Sequence, residues 1–314
     1  MKKWLIGLIS LLFLFSIGTY FFIPKKISII RTVNANANQA GVFRFLSEEN
    51  NWKKWWPGEA STDEEKDSVL EFGEYKFKLD DIRYNAFRIT LGKNQPIDTS
   101  VLHLVPTGTD SIKIVWDALL NTGNNPFLKI SQYYEARKLR NSLDMILATL
   151  QSFISNNKNI YGLDIKKEQV KIEYVVSTKK VFSKYPETEA IYEMINSIKK
   201  YISQSQGMEE DYPMVNITSQ DSARYLAQVG VPVVREIPQK DQFFLKRLLK
   251  NGNILVTEMK GGRNVSDSAM KKIELFASDH KLFNIALPFL SLITDRTKEK
   301  DSSKWVTKIY YPVN

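Results

Sequence analysis

The 314-residue chain contains no cysteine and only two histidines, His103 and His280. Without cysteine it cannot form disulfides, thiolate zinc sites, iron–sulfur clusters or a cysteine nucleophile. The lipidated cysteine of a bacterial lipoprotein is excluded for the same reason. Two histidines are too few for a multi-histidine metal site, and neither a phosphate-binding glycine loop nor a nucleophile elbow is present. We therefore predict no metal and no other cofactor.

Charge of one sign is also not concentrated in any stripe. The net charge is +9, and four of the nine positive charges come from lysines within residues 1–26, a segment without any acid. The mild basic excess that is left is spread along the chain, whereas nucleic-acid-binding proteins gather theirs on one surface. Because no segment has a helix-turn-helix pattern either, we predict no nucleic-acid partner.

A long apolar run occupies the beginning of the chain. Trp4–Ile23 is twenty residues long and has no charged side chain. As a helix it spans roughly 30 Å, the thickness of the bilayer hydrocarbon. A cleaved signal peptide is the alternative, with Ala35-Asn36-Ala37 as a cleavage site, but the apolar run leads directly into Pro24-Lys25-Lys26. We predict an uncleaved transmembrane anchor over residues 1–26, in a bacterial inner membrane, with the rest on the outer, periplasm-like face.

The region 27–158 combines strand patterns with one long helix pattern. Alternating apolar residues predict strands, and three- and four-residue spacing from Pro126 to Ser155 predicts an amphipathic helix. The predicted strands are Ile27–Val33, Glu71–Leu79, Ala86–Leu91, Ser100–Val105 and Ser111–Leu119. Such an order predicts one antiparallel sheet packed against the long helix.

This first region resembles the START-like, or SRPBCC, superfamily. The resemblance is carried by the opening strand, the short helix Ala40–Leu46 and the Trp-Pro-containing segment Asn51–Gly58. It implies a helix-grip fold that binds apolar small molecules, and some members, the polyketide cyclases, close rings. Trp56 and His103 are the candidate cavity residues. The alternative is that the tryptophans pack the core and that the histidine is structural or exposed.

The region 165–314 contains two cycles of strand, helix, strand, strand, which predicts an internal duplication. The helices are predicted over Glu187–Ser203 and from a cap at Ser266 or Ser268. Asn251-Gly252 between two strand patterns predicts a hairpin. The linker before this region is the polar stretch 155–159.

This second region resembles the GyrI-like, or AraC-type effector-binding, small-molecule-binding domain. Asn253–Gly262 is similar to a family strand that enters a glycine turn, and Trp305–Val313 to the terminal strand with its aromatic-x-Pro-Val end. The resemblance implies a cleft between two repeats, lined by aromatics and often holding an acid that receives cationic ligands. The chain departs from the family in the glycine turn, Gly261-Gly262-Arg263, where the family favours Gly-Pro-Tyr, and at Lys308, where an acid is frequent.

Six residues are candidates for contact with a ligand. They are Glu258, Tyr310, Trp305, Tyr174, Tyr225 and Lys308. An inward Lys308 would disfavour cations and favour an anionic or neutral amphipathic ligand, whereas an outward Lys308 would carry no information.

The sequence thus predicts a membrane-tethered, non-catalytic sensor or carrier of a small amphipathic molecule. The first alternative is a hydrolase or cyclase in which a pocket pair such as Glu258 and Tyr310 activates water. The second is a protein-interaction or chaperone-like role, marked by an exposed apolar patch instead of an enclosed pocket. The ligand's identity and the oligomeric state are left open.

Overall fold

The strand and helix patterns fold into two units, Met1–Ile160 and Tyr161–Asn314, each built on one antiparallel sheet. The computed structural model describes residues 2–62, 68–93, 99–221 and 223–314. The mixed α+β class expected from the sequence is confirmed.

The chain begins with helix α1, Lys2–Phe22. The large apolar side chains that are described in this helix, from Trp4 to Phe22, are exposed. The side chains of Leu5, Leu12, Phe15 and Ser16, which fall in the predicted anchor, lie outside the described part. Within the part of the chain that the structure describes, no helix has the length and apolarity required to cross a membrane.

The first unit continues as strand, two short helices, six strands and a long helix. Its elements are β1 Lys26–Ala35, α2 Gln39–Ser47, α3 Glu49–Trp52, β2 Glu59–Thr62, β3 Ser68–Phe72, β4 Tyr75–Arg83, β5 Ala86–Gly92, β6 Thr99–Gly108, β7 Ser111–Asn121, α4 Pro126–Ile154 and α5 Asn157–Tyr161. The sheet order is β1-β7-β6-β5-β4-β3-β2. Each strand from β2 to β6 pairs with the next strand in the chain, and β1 pairs with β7. Helix α4 packs on β1 and β7.

The expected single strand Glu71–Leu79 is instead a hairpin. Its turn lies at Gly73, whose φ of 60° is a left-handed conformation that suits glycine. Tyr75, Phe77 and Leu79 alternate with polar residues, but Phe72 is out of phase with them, so the alternation breaks at the turn.

Large rings fill the interior of the first unit. Trp52 packs edge-on against Phe87 with ring centroids 6.0 Å apart, and Trp56 likewise against Phe77 at 5.0 Å. Phe77 continues to Trp116 at 5.9 Å. The indole N–H of Trp116 donates to the buried Ser100 hydroxyl at 2.8 Å, so this polar group is satisfied inside the core.

The second unit has an eight-stranded sheet and two main helices. Its elements are β8 Lys166–Gln169, β9 Tyr174–Phe182, α6 Thr188–Gln204, β10 Met214–Ser219, β11 Tyr225–Val233, β12 Phe244–Arg247, β13 Asn253–Lys260, α7 Arg263–Asp279, β14 Phe289–Leu292 and β15 Val306–Pro312. The sheet order is β12-β9-β11-β10-β14-β15-β13-β8. Each half contributes strand, helix, strand, strand, and the halves meet where β10 pairs with β14.

The Asn251-Gly252 hairpin expected from the sequence is not formed. A turn is present, since Asn251 has a φ of 63°, but β12 pairs with β9 and β13 pairs with β15 and β8, near opposite edges of the sheet. The turn's backbone groups bond to Val170 instead. Local turn chemistry was thus correct, while the strand partners were set by the rest of the sheet.

Helix α7 also begins earlier than expected. Gly262 is its N-cap and makes no side-chain capping bond, whereas Ser266 is buried inside the helix and its hydroxyl donates back to the Gly262 carbonyl at 3.4 Å. A serine can make this bond to the carbonyl four residues earlier, so its presence does not mark a helix start.

Candidate functional site

A cleft of about 260 Å³ lies on the face of the second sheet that the helices leave bare. Val176, Val231 and Leu290 belong to the apolar cluster beneath α6, so their neighbours in each strand point to the other face. The cleft is lined by Val175, Ser177, Met214, Val215, Asn216, Gln228, Val229, Gly230, Lys246, Leu248, Ala286, Leu287, Pro288 and Phe289.

Small residues in the strands help to form the hollow. A Cβ placed at Gly230 would approach the Val175 side chain to 2.6 Å, so a larger residue would crowd this wall. The segment 286–289 covers the other side of the cleft, and Asn216 Nδ2 donates to the Pro288 carbonyl at 2.7 Å. The cleft is therefore bounded by a rigid sheet on one side and a hydrogen-bonded segment on the other.

One cation stands at the edge of this cleft. The Lys246 ammonium donates to Gln228 Oε1 at 2.9 Å. Partial burial, together with the charge of Lys179, holds the pKa of Lys246 below its ordinary value. More than a third of the residue's surface is nonetheless accessible to solvent, so the charge is screened in part. An incoming anion would meet an ammonium group that has already lost part of its hydration.

One residue in the wall of the cleft has an unsatisfied acceptor. Asn216 Oδ1 is buried and has no hydrogen-bond partner among the described residues. Leaving a buried acceptor unpaired costs about 1–3 kcal/mol. A ligand with an N–H or O–H donor would recover this cost if its binding displaces the atoms that cover the oxygen.

Tyr310 lies next to the cleft. Its ring stacks on Phe289, a lining residue, with centroids 5.0 Å apart and planes 18° from parallel. Burial raises the pKa of Tyr310, and the carboxylates of Asp211 and Glu168 add to the shift. The hydroxyl is therefore a neutral donor at physiological pH.

Glu258 and Lys308 share the helix-free face but pair with each other. They are directly opposite across β13 and β15, and their charged atoms are 4.0 Å apart. Neither lines the cleft. The Glu258 side chain is 59% exposed, so the pair is a solvated surface ion pair.

The other three aromatic candidates have different surroundings. Tyr174 packs against the core beneath α6, and the Arg247 guanidinium lies 5.5 Å from the centre of its ring. Tyr225 meets Tyr185 edge-on at 5.6 Å. Trp305 donates to the Glu299 carbonyl at 2.8 Å. The structure does not bring these three rings to the cleft.

In the first unit, Trp56 and His103 are far from equivalent. Trp56 is buried and its indole N–H donates to the Glu71 carbonyl at 2.9 Å. His103 is exposed on β6, between the half-buried Val101 and the exposed Val105. The two are not placed as partners in one cavity.

Sequence reasoning did not single out Lys246, Asn216 or Phe289. Lys246 lies in a segment rich in lysine and arginine, and Asn216 is one of three polar residues in a strand of six. The available signal was the alternation in β10, where Met214 and Asn216 fall on the face opposite Val215.

Comparison with known proteins gives weak similarities. No family model matches the chain, and no curated protein matches it. Similar solved structures include the EcmrR C-terminal domain, with 12% identity and a TM-score of 0.41 over 48% of this chain and 98% of that one. EcmrR in a complex with DNA has 14% identity and a TM-score of 0.43 over 60% and 70%.

The di-domain ARO/CYC protein BexL, from the BE-7585A biosynthetic pathway, has 10% identity and a TM-score of 0.35 over 92% of this chain and 85% of its own. Similarities at this level assign neither a family nor a function.

Proposed function

We propose that the second unit is a non-catalytic binding module for a small amphipathic molecule whose polar end is neutral or anionic. The observation that carries this proposal is the composition of the cleft. Its walls are mostly aliphatic and aromatic, and among its described lining residues only Lys246 is ionisable.

The size and the walls of the cleft favour a small, largely apolar ligand. Ligand pockets generally have roughly 300–1,000 Å³ and are apolar with a few polar groups. At about 260 Å³ this cleft suits a molecule of one or two rings. Phe289, supported by the stacked Tyr310, offers a flat surface that loses little rotamer entropy on binding.

The charge of Lys246 favours an anion or a neutral acceptor over a cation. Two unit charges 4 Å apart interact by about 1 kcal/mol in water and about 4 kcal/mol near a protein surface. Asp211 and Glu168, whose carboxylates act on Tyr310, do not line the cleft. The preference for an anionic or neutral ligand, which the sequence suggested for an inward Lys308, is therefore now attributed to Lys246.

Catalysis by a pocket Glu/Tyr pair is less well supported. A general base needs to reach its proton within hydrogen-bond distance in a site from which water is excluded. Glu258 is exposed and its carboxylate faces the Lys308 ammonium. We therefore favour a sensor or carrier over a hydrolase or cyclase.

For the fold families, we propose a START-like, helix-grip first unit and a duplicated GyrI-like second unit. The support for the first is its order of strand, two helices, six strands and long helix. The support for the second is a strand order in which two strand–helix–strand–strand halves meet at the centre of the sheet.

We also propose that α1 tethers the protein to a bacterial inner membrane, with both units on the outer face. The uncharged sequence Trp4–Ile23 and the exposed apolar side chains of α1 support this. Such side chains in water would be an aggregation hazard, whereas lipid would cover them.

A pair of probes with matched shape and opposite charge tests the binding proposal. We expect full-length protein in lipid nanodiscs to bind 2-naphthalenesulfonate at least tenfold more tightly than 2-naphthylmethylammonium, measured by titration calorimetry. Lys246→Met should abolish this preference, and Lys308→Met, the matched control on the same face, should keep it. Tighter binding of the cation, or binding of neither probe, would refute the proposal.

A further inference from the structure

The end of α1 is held firmly by the first turn of α4. Lys129 is 1% exposed, its ammonium donates to the Ile23 carbonyl at 2.7 Å, and it lies 4.5 Å from the centre of the Tyr20 ring. A cation at a helix C-terminus also interacts favourably with the helix dipole. The Thr122 hydroxyl donates to the Pro24 carbonyl at 2.8 Å. The helix is thus fixed to the first unit and is not a loose tether.

Beside this junction, the first turns of α4 expose apolar and aromatic side chains. Apart from Lys129, the first buried residue of α4 is Ala136, so the helix begins well before it meets the core. The large apolar side chains exposed here are Phe127, Leu128, Tyr133 and Tyr134. Phe127 and Tyr134, seven positions apart, share one side of the helix, and exposed apolar side chains concentrated at one helix end are typical of an interaction surface.

Two arginines follow on the same helix. Arg137 and Arg140 line a groove of about 770 Å³ between β1 and α4, together with Tyr133 and Arg31. Arg31 is neutralised by Asp144 at 2.5 Å. Among the described residues no carboxylate lies within ion-pair distance of Arg137 or Arg140, so both charges are open to an anion.

We propose that residues 126–140 of α4 lie on the lipid surface beside α1. The aromatic side chains occupy the interfacial layer, and Arg137 and Arg140 contact anionic headgroups. This inference rests on the tether proposed above. Tyrosine is enriched at membrane interfaces because its ring is apolar and its hydroxyl is polar, and basic residues near the surface are attracted to anionic lipid.

The bilayer is chosen over a protein partner because the start of α4 is attached to the end of α1 through Lys129. Phe127 and Leu128 are the immediate neighbours of Lys129, which binds the end of α1. Phe21 and Phe22, on the α1 side of the junction, are exposed as well. If α1 is in lipid, the start of α4 lies at the lipid surface, because Lys129 joins it to the end of α1.

Because the chain lacks cysteine, single labels can be placed on the full-length protein. A fluorophore would be attached at Leu11→Cys, Tyr134→Cys or Met145→Cys, all exposed positions, and its quenching by spin-labelled lipids measured in vesicles. We expect strong quenching of the Leu11 label by a deep acyl-chain quencher and of the Tyr134 label by a shallow one. The Met145 label, further along α4, should be quenched by neither.

The three labels separate the two proposals. A quenched Leu11 label with an unquenched Tyr134 label would overturn the surface contact and leave the tether intact. An unquenched Leu11 label would overturn the tether itself. Equal quenching at Tyr134 and Met145 would also overturn the proposed contact, because the contact predicts a boundary between these positions.

A second arm tests the arginines. Adding phosphatidylglycerol to phosphatidylcholine vesicles should increase shallow quenching at Tyr134, and Arg137→Gln with Arg140→Gln should remove most of that increase. The control pair Lys298→Gln with Lys300→Gln removes the same charge from exposed positions in the second unit. An equal loss in both pairs, or no loss in either, would overturn the role of these arginines.

Discussion

The two units differ in how the faces of their sheets are covered. In the first, side chains from α2, α3 and α4 meet a seven-stranded sheet and large rings fill the space between them. In the second, α6 and α7 cover one face of an eight-stranded sheet, and the other face keeps a cleft. One fold class therefore leads to a sheet face filled by large rings in one unit and to a sheet face with an apolar cleft in the other, while the groove of the first unit lies between β1 and α4 and is lined by arginines.

Residue size explains much of this difference. Between the first sheet and its helices lie Trp52, Trp116, Phe77 and Phe87, four of the largest fully buried side chains. At the second cleft the strands carry Ser177 and Gly230. A hollow survives where side chains are too small to fill it and a neighbouring segment keeps it covered. Ligand binding is accordingly a property that we assign to the second unit.

The largest effect is expected from emptying part of the first interior. Trp52→Ala should lower the free energy of unfolding of the first unit by about 3–5 kcal/mol, because a large buried ring and its bond to the Leu46 carbonyl are lost. Denaturant unfolding measures this, with the highly exposed Tyr84→Ala as the control. A loss below about 1 kcal/mol would mean that the rings are loosely packed and that the first unit is hollow too.

The second expected effect is at Asn216, where a substitution should keep or raise the stability of the protein and lower its affinity for a ligand with a donor group. Asn216→Leu removes a hydrogen bond to Pro288, worth about 0.5–1.5 kcal/mol, and a buried unpaired oxygen, costing about 1–3 kcal/mol. The ligand-free protein should be unchanged or more stable by about 1 kcal/mol. For a hydroxylated naphthalenesulfonate, the affinity gained from the hydroxyl, about tenfold, should disappear.

Calorimetry with the hydroxylated and unsubstituted compounds gives that difference directly, and Thr218→Val on the same strand is the control. If Asn216→Leu destabilises the protein and leaves both affinities unchanged, Asn216 is structural and its oxygen is no part of a ligand site.

The sequence was sufficient for the fold class and for the long elements. The 3.6-residue spacing of Leu139, Leu143 and Leu150 predicts α4, because one apolar stripe must face the sheet. It was insufficient for strand partners. The separation of β12 from β13 depends on contacts between distant segments, which local propensities do not contain. The hairpin at Gly73 is local, and its available signal was the glycine between Phe72 and Tyr75.

The site was harder to predict than the fold for a related reason. Tyr310 and Phe289 are 21 positions apart and meet only because β14 pairs with β15. Lys246 reaches the cleft because its edge strand pairs with β9, a partner that the apparent hairpin signal concealed. Residue type identified plausible aromatics, but the choice among them required the register of the sheet.

A smaller effect is expected from pH, and it distinguishes the cleft from the open surface. The pKa of Lys246 is lowered by burial and by Lys179, so the ammonium is lost at a lower pH than that of an ordinary lysine. Affinity for naphthalenesulfonate should fall as the pH rises through this pKa, and binding should take up protons there. In the ligand-free protein the sign is opposite: burying the charged form disfavours folding below this pKa, and that penalty is relieved as the pH rises.

Titration calorimetry in buffers with different ionisation enthalpies measures the proton uptake. Lys246→Met should give an affinity independent of pH over the same range, whereas Lys308→Met should leave the pH dependence intact. Unchanged pH dependence in Lys246→Met would show that another group titrates and would remove Lys246 from the site.

The smallest effect is expected at the Glu258–Lys308 pair, which shares the sheet face but lies outside the cleft. Glu258→Gln should change the free energy of unfolding by less than about 1 kcal/mol, since exposed ion pairs contribute little. Its affinity for naphthalenesulfonate should equal that of the unmodified protein, as should that of Lys308→Met. A tenfold change in affinity would show that the pair belongs to the binding site and that the cleft extends across β13 and β15. The catalytic alternative, which the exposure of Glu258 disfavours, would then have to be reconsidered.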